Sequence, residues 1–119
     1  MREREEDSSA RPCSLFGTFN LRGSTDLASF KQAFDALCEH LRDRRYLQTW
    51  RLWERAYHDG YDAGFPDTSL VVEMGFPTHR AALEVWDCFE SRVDPVGSLH
   101  LAVNSKVKDA RFVLCRQLN

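Results

Sequence analysis

Glu73 is the residue whose setting most invites chemistry. It sits mid-run in S-L-V-V-E-M-G-F (69–76), which alternates as a strand does. Leu70, Val72, Met74 and Phe76 fall on one face, and Val71, Glu73 and Gly75 on the other. A carboxylate on a covered sheet face must be paired or protonated. Two roles follow: half of a structural Arg–Glu pair at an interface, or a general base whose pKa burial has raised. Antiparallel pairing through the 59–68 loop sets Trp53 roughly opposite Glu73, with Arg51 or Arg55 diagonal to it. Asn20, on the same side of the sheet, can orient a substrate carbonyl.

The chain has four histidines, His40, His58, His79 and His100. His40 and His79 stand at helix ends, where a structural role suffices. His58 closes the second strand and is the second candidate for proton transfer. His100 lies on an apolar helical stripe, as either a core histidine with one hydrogen bond or a ligand contact. With no H-x-H or H-E-x-x-H, no metal set is expected. Asn104-Ser105-Lys106 precedes the last strand. Lys106 and the Asn104 amide can receive an anionic group, although Asn104 serves equally as a helix cap. No nucleophile elbow, phosphate-binding glycine loop or dinucleotide fingerprint appears, so no cofactor is expected. Cys13, Cys38, Cys88 and Cys115 lack paired spacing and read as reduced, mostly buried thiols.

Elements must position these side chains. A chain of 119 residues is one domain. Its composition, 43% hydrophobic and 29% charged, is that of a globular protein. A net charge of -2 lacks the basic excess of a nucleic-acid surface, and no apolar run is long enough to span a membrane. Residues 1–13 read as a disordered polar tail and 14–119 as the domain. The tail has no apolar core of a secretory signal, which with the unpaired cysteines suggests the cytoplasm.

Ser14–Arg22 alternates as a first strand, with Leu15, Gly17, Phe19 and Leu21 toward the core. Ser24 or Thr25 caps a helix whose stripe is Leu27, Phe30, Phe34, Leu37, Cys38 and Leu41. Arg42-Asp43-Arg44-Arg45 reads as its solvated C-terminal end. A second strand starts near Tyr46 and carries large aromatic residues on both faces, with Trp50 and Leu52 opposite Arg51, Trp53 and Tyr57. Ser69–Phe76 is the third strand. A second helix follows Thr78 with a stripe of Ala82, Leu83, Trp86 and Phe89. Asp94-Pro95 opens a short helix to about Asn104. Ala110–Gln117 is the fourth strand.

That order, β-α-β-β-α-β, predicts an α+β ferredoxin-like sandwich: a four-stranded antiparallel sheet with its helices on one face. The opposite face then carries Phe16, Thr18, Arg51, Trp53, Tyr57, Val71, Glu73 and Val113, too apolar for water. A second copy packed sheet to sheet covers it, so a homodimer is expected.

The order of elements, the aromatic second strand and the helix after F-P-T resemble the dimeric α/β-barrel superfamily. This implies two ferredoxin-like protomers closing a barrel between their sheets. The superfamily includes antibiotic-biosynthesis-type monooxygenases, stress-responsive barrel proteins and small lactone isomerases. G-T-F-N-L-R (17–22), Y-L-Q-T-W-R-L-W-E-R (46–55) and L-H-L-A-V-N-S-K-V-K-D-A-R-F-V-L-C-R (99–116) look like a small bacterial family of unknown function within it. The resemblance assigns no catalytic residue, and fold alone assigns no activity.

The expectation is therefore a homodimer that binds a small apolar or aromatic molecule. Trp50, Trp53, Tyr57 and Phe76 supply walls, and Asn20, Arg51, Glu73 and His58 polarity, with His100, Asn104 and Lys106 as further contacts. The alternatives are a cofactor-independent monooxygenase or isomerase using Glu73 or His58, and a structural dimer with a filled barrel.

Overall fold

The computed structural model describes residues 10–119. Most of the expected tail lies outside that range. Cys13, assigned to the tail, instead begins a strand and is buried. Pairing extends the sheet that far, and Gln117 N donates to Pro12 O just beyond it.

The elements are β1 (Cys13–Leu21), α1 (Leu27–Asp43), β2 (Thr49–Glu54), β3 (Leu70–Phe76), α2 (His79–Ser91), α3 (Val96–Asn104) and β4 (Val107–Arg116). The sheet order is β2-β3-β1-β4, with every neighbouring pair antiparallel. This is the split β-α-β arrangement the element order predicts, α+β with the helices on one face. No described helix is long and apolar enough to cross a membrane.

α1 forms where its stripe predicts. Phe30, Phe34, Leu37, Cys38 and Leu41 are buried, while Leu27 in the first turn stays exposed. The cap is Asp26, not Ser24 or Thr25. Its Oδ1 accepts from Ser29 N at 2.7 Å, which holds the carboxyl below its ordinary pKa. At the other end Arg45 takes a left-handed conformation (φ 64°), and Tyr46 N and Leu47 N both donate to Leu41 O. Residues 46–48 therefore unwind the helix, and β2 starts three residues later than expected.

α2 departs from its predicted stripe. Thr78 caps it as expected, its Oγ1 accepting from Ala81 N. The buried residues are Ala81, Ala82 and Val85, whereas Leu83 and Trp86 are exposed. The small side chains face the core, and the larger Leu83 and Trp86 lie on the exposed flank. α3 starts one residue later than read, with Pro95 rather than Asp94 at the cap position, although Asp94 Oδ1 accepts from Ser98 N at 3.0 Å.

β4 begins at Val107, ahead of the predicted Ala110. Between Thr18↔Arg111 and Asn20↔Lys108 it carries one residue more than β1. Asp109 takes a left-handed conformation there (φ 57°), a bulge that breaks the alternation.

The core lies between the helices and one sheet face. Phe19, Leu70, Val72, Met74 and Phe76 meet the α1 stripe, with Ala82, Val85 and Val96 closing the layer. Each fully buried large side chain contributes about 1.5–3 kcal/mol of burial. Cys38 is fully buried, and burial pushes its thiol pKa up, beside the negative Asp35 and Glu39.

Candidate functional site

The two sheet faces offer different sites. On the face without helices the register sets Arg51, Glu73, Phe16 and Val113 in one row across all four strands. The next row is Trp53, Val71, Thr18 and Arg111. Arg51 is therefore the residue directly opposite Glu73, and Trp53 is the diagonal one, the reverse of the expectation. The β2–β3 pairing runs from Thr49↔Gly75 to Glu54↔Leu70, so the connecting segment is longer than a tight hairpin. Trp53 Nε1 donates to a Glu73 carboxylate oxygen at 3.3 Å. Trp53 is 50% exposed and Val113 56%. This face is a shallow surface with one acid held by an indole.

A half-open apolar pocket lies on the other face. Between the helices and the sheet is a cavity of 370 Å³, lined almost wholly by apolar side chains such as Phe19, Phe34, Val72, Met74 and Phe112. Its polar lining residues are His100 and Asn104, both from α3. The His100 ring stacks on Phe89 at 3.9 Å between centroids, with 7° between planes. Burial lowers the His100 pKa below its ordinary value. The neutral imidazole is thereby favoured: one ring nitrogen accepts and the other donates. Such a group can fix a hydroxyl or carbonyl, or remove a proton.

The other predicted residues are dispersed. Asn20 is fully engaged: Oδ1 accepts from Ser69 N at 2.9 Å, and Nδ2 donates to Asp67 O and Asp109 Oδ2. It ties the start of β3 to the β4 bulge. His58 Nδ1 accepts from Gly60 N at 3.1 Å and Tyr61 N at 3.2 Å, folding the exposed β2–β3 loop. Trp50 Nε1 donates to Asp35 Oδ1, and Phe76 is buried in the core. Tyr57 packs under the Arg55 guanidinium. Lys106 Nζ donates to Ala102 O, closing the end of α3. Among these only His100 and Asn104 come together around the apolar pocket.

The sequence reading missed Trp86 and Phe89 as cavity walls, having placed both in the α2 core stripe. It also missed Phe112, which lies over Gly17 where a side chain at that position would collide with its ring. An aromatic at a strand position facing a glycine was the available signal.

A model of one protein family matches residues 15–119, nearly all of the described chain. The chain belongs to a family of unknown function (DUF6614). No curated protein matches it. Among solved structures it is similar to a variant of SnoaB, a cofactor-independent oxygenase from Streptomyces nogalater. The TM-score is 0.66 at 14% identity, covering 92% of this chain and 96% of the other. It is also similar to a dabb family protein with a ferredoxin-like fold from Mesorhizobium loti (TM-score 0.59, 11% identity, 92% and 99% covered). A third is a dimeric ferredoxin-like protein of unknown function from Thermobifida fusca (TM-score 0.53, 13% identity, 91% and 92% covered). At these identities the likenesses establish the ferredoxin-like fold.

Proposed function

We propose that the protein binds a small apolar or aromatic molecule in the helix-side cavity, with His100 and Asn104 fixing its orientation. One observation carries this reading: a 370 Å³ space with an apolar wall and two polar side chains from one helix. Ligand sites have that composition and size. The cavity lies on the sheet face opposite the one from which Trp53 and Glu73 project. Calorimetric titration with 2-naphthol tests it. Saturable one-to-one binding is expected, weakened about tenfold by His100→Leu through the lost hydrogen bond. Absence of saturable binding by the unaltered protein sinks the reading.

The same proposal includes a homodimer formed through the open sheet face. Phe16, Trp53, Val71 and Val113 make an apolar patch there, and Arg51, Glu73 and Arg111 supply both signs of charge for a self-complementary contact. The Thermobifida fusca protein, described as dimeric, supports it by analogy of fold. Light scattering should give twice the chain mass, and Val113→Glu should halve it. A monomer at high concentration contradicts the dimer and leaves the cavity untouched.

A second reading is enzymatic. The neutral His100 facing an apolar space is suited to proton abstraction from a bound phenol or activated carbon. The likeness to a cofactor-independent oxygenase favours this chemistry, with Glu73 and His58 as the other candidate bases. Turnover lost in His100→Gln but kept in Glu73→Gln assigns the base to α3; the reverse result assigns it to the open face.

A further inference from the structure

Outside the apolar cavity lies a larger cleft of 560 Å³, bounded by Glu90, Arg92, Asp94, Ser98 and the outer side of α3. Trp86, Phe89, His100 and Asn104 line both spaces. These four residues form a collar shared by the outer cleft and the more apolar inner pocket. Trp86 is 56% exposed and Asn104 is also exposed, so the collar is reached from solvent.

Resting on the cavity reading, we infer that the ligand is amphipathic: an apolar ring system in the inner cavity bearing an uncharged, oxygen-containing tail that passes the collar toward Arg92. The inner chamber offers no polar group beyond His100 and Asn104, so a second polar substituent must lie outside it. Arg92 supplies donors there. Its guanidinium takes part in neither of the ion pairs seen among the described residues. Glu90 and Asp94 line the same cleft, and Asp94 already accepts from Ser98 N and Oγ. One cation beside two carboxylates disfavours an anionic tail. A neutral acceptor such as an ether, hydroxyl or carbonyl oxygen takes the guanidinium donors without that repulsion.

The backbone makes this separable from folding. Arg92 ends α2 in the left-handed region (φ 55°), where glycine is the residue without steric cost. Arg92→Gly therefore removes the guanidinium while keeping or raising stability.

The test compares three probes by calorimetry: naphthalene, 2-(2-naphthyloxy)ethanol and 2-naphthoxyacetate. The hydroxyl-tailed probe should bind about tenfold tighter than naphthalene, the worth of one charge-assisted hydrogen bond. The carboxylate probe should bind more weakly than the hydroxyl one. Arg92→Gly should abolish the tenfold gain and leave naphthalene unchanged. A tail that adds nothing, a gain that survives Arg92→Gly, or a preference for the carboxylate overturns the inference while the cavity reading stands. Failure of naphthalene and both tailed probes to bind overturns the cavity reading and the inference with it.

Discussion

The two faces of one sheet are both apolar, yet the chain closes only one of them. On the helix side Val72, Met74 and Phe76 are at most 5% exposed; on the other, Trp53 and Val113 are at least half exposed. The strands are shared, so local sequence is not the cause. Three helices cover most of one face, leaving Phe112 and Leu114 on its β4 edge exposed, and nothing in the described chain covers the other. Apolar character in a strand thus reports that a face will be covered, and topology decides by what. The covered face also keeps a pocket beside α2, with Trp86 and Phe89 on its wall. Pocket and interaction surface are therefore separate features, where the sequence reading made them one.

Truncation on each face breaks or confirms that contrast most strongly. Phe30 is 1% exposed and packs on Phe19 at 4.8 Å between ring centroids. Phe30→Ala should cost about 3–5 kcal/mol in urea unfolding, a transfer and a cavity penalty together. Trp53→Ala should cost the dilute protomer less than about 1 kcal/mol, since half its surface already meets water. Equal losses would mean that the open face is closed within the protomer. The prediction concerns dilute protein, because association makes apparent stability depend on concentration.

A smaller contrast concerns the two strand glycines that neighbouring side chains cover. A side chain at Gly17, on the helix side, would run into the Phe112 ring and press Val72 at 3.2 Å. Gly17→Ala should therefore cost about 1–3 kcal/mol as the edge-strand ring is displaced. At Gly75, on the open side, the obstacle is the Thr49 hydroxyl, which can rotate away. Gly75→Ala should cost less than Gly17→Ala in parallel thermal melts. The opposite order would place the tighter packing on the uncovered face.

The difference in how the faces are built explains what the sequence made legible. Alternation in β1 and β3 and the α1 stripe identified the strands, the covered face and the ferredoxin-like order, because burial there is continuous. The α2 face was misjudged because two stripes compete and size decides between them: alanines go under, Trp86 goes out. The start of β4 was hidden by the Asp109 bulge, since one extra residue reverses the alternation. Among candidate site residues, His100 and Asn104 line the cavity, but through helix–sheet packing that no spacing shows. Asn20 and His58 share the polar types of site residues, yet their acceptor atoms are engaged by backbone amides. Residue type suggested chemistry, and only the third dimension showed which polar atoms were already in use.

The smallest expected effect is a pH dependence that belongs to the helix side. Burial holds the His100 pKa below its ordinary 6.5 in the folded protein, while the unfolded chain titrates near that ordinary value. The shift is downward for a base, so between the two values the unfolded state binds more protons than the folded one. Stability from this group is complete above the unfolded value and is lost as pH falls through the folded one. Urea midpoints should therefore decline from about pH 7 to about pH 5, the range in which an unperturbed histidine begins to charge. His100→Phe, which keeps an aromatic partner for the Phe89 stack, should flatten that decline while leaving the midpoint near pH 7 within the spread of surface substitutions. A bound apolar ligand should steepen it, because closing the chamber further excludes water from the imidazole. A decline of equal slope in His100→Phe would show that acid sensitivity arises elsewhere, and would remove the link between cavity dryness and the neutral imidazole on which proton abstraction at His100 depends.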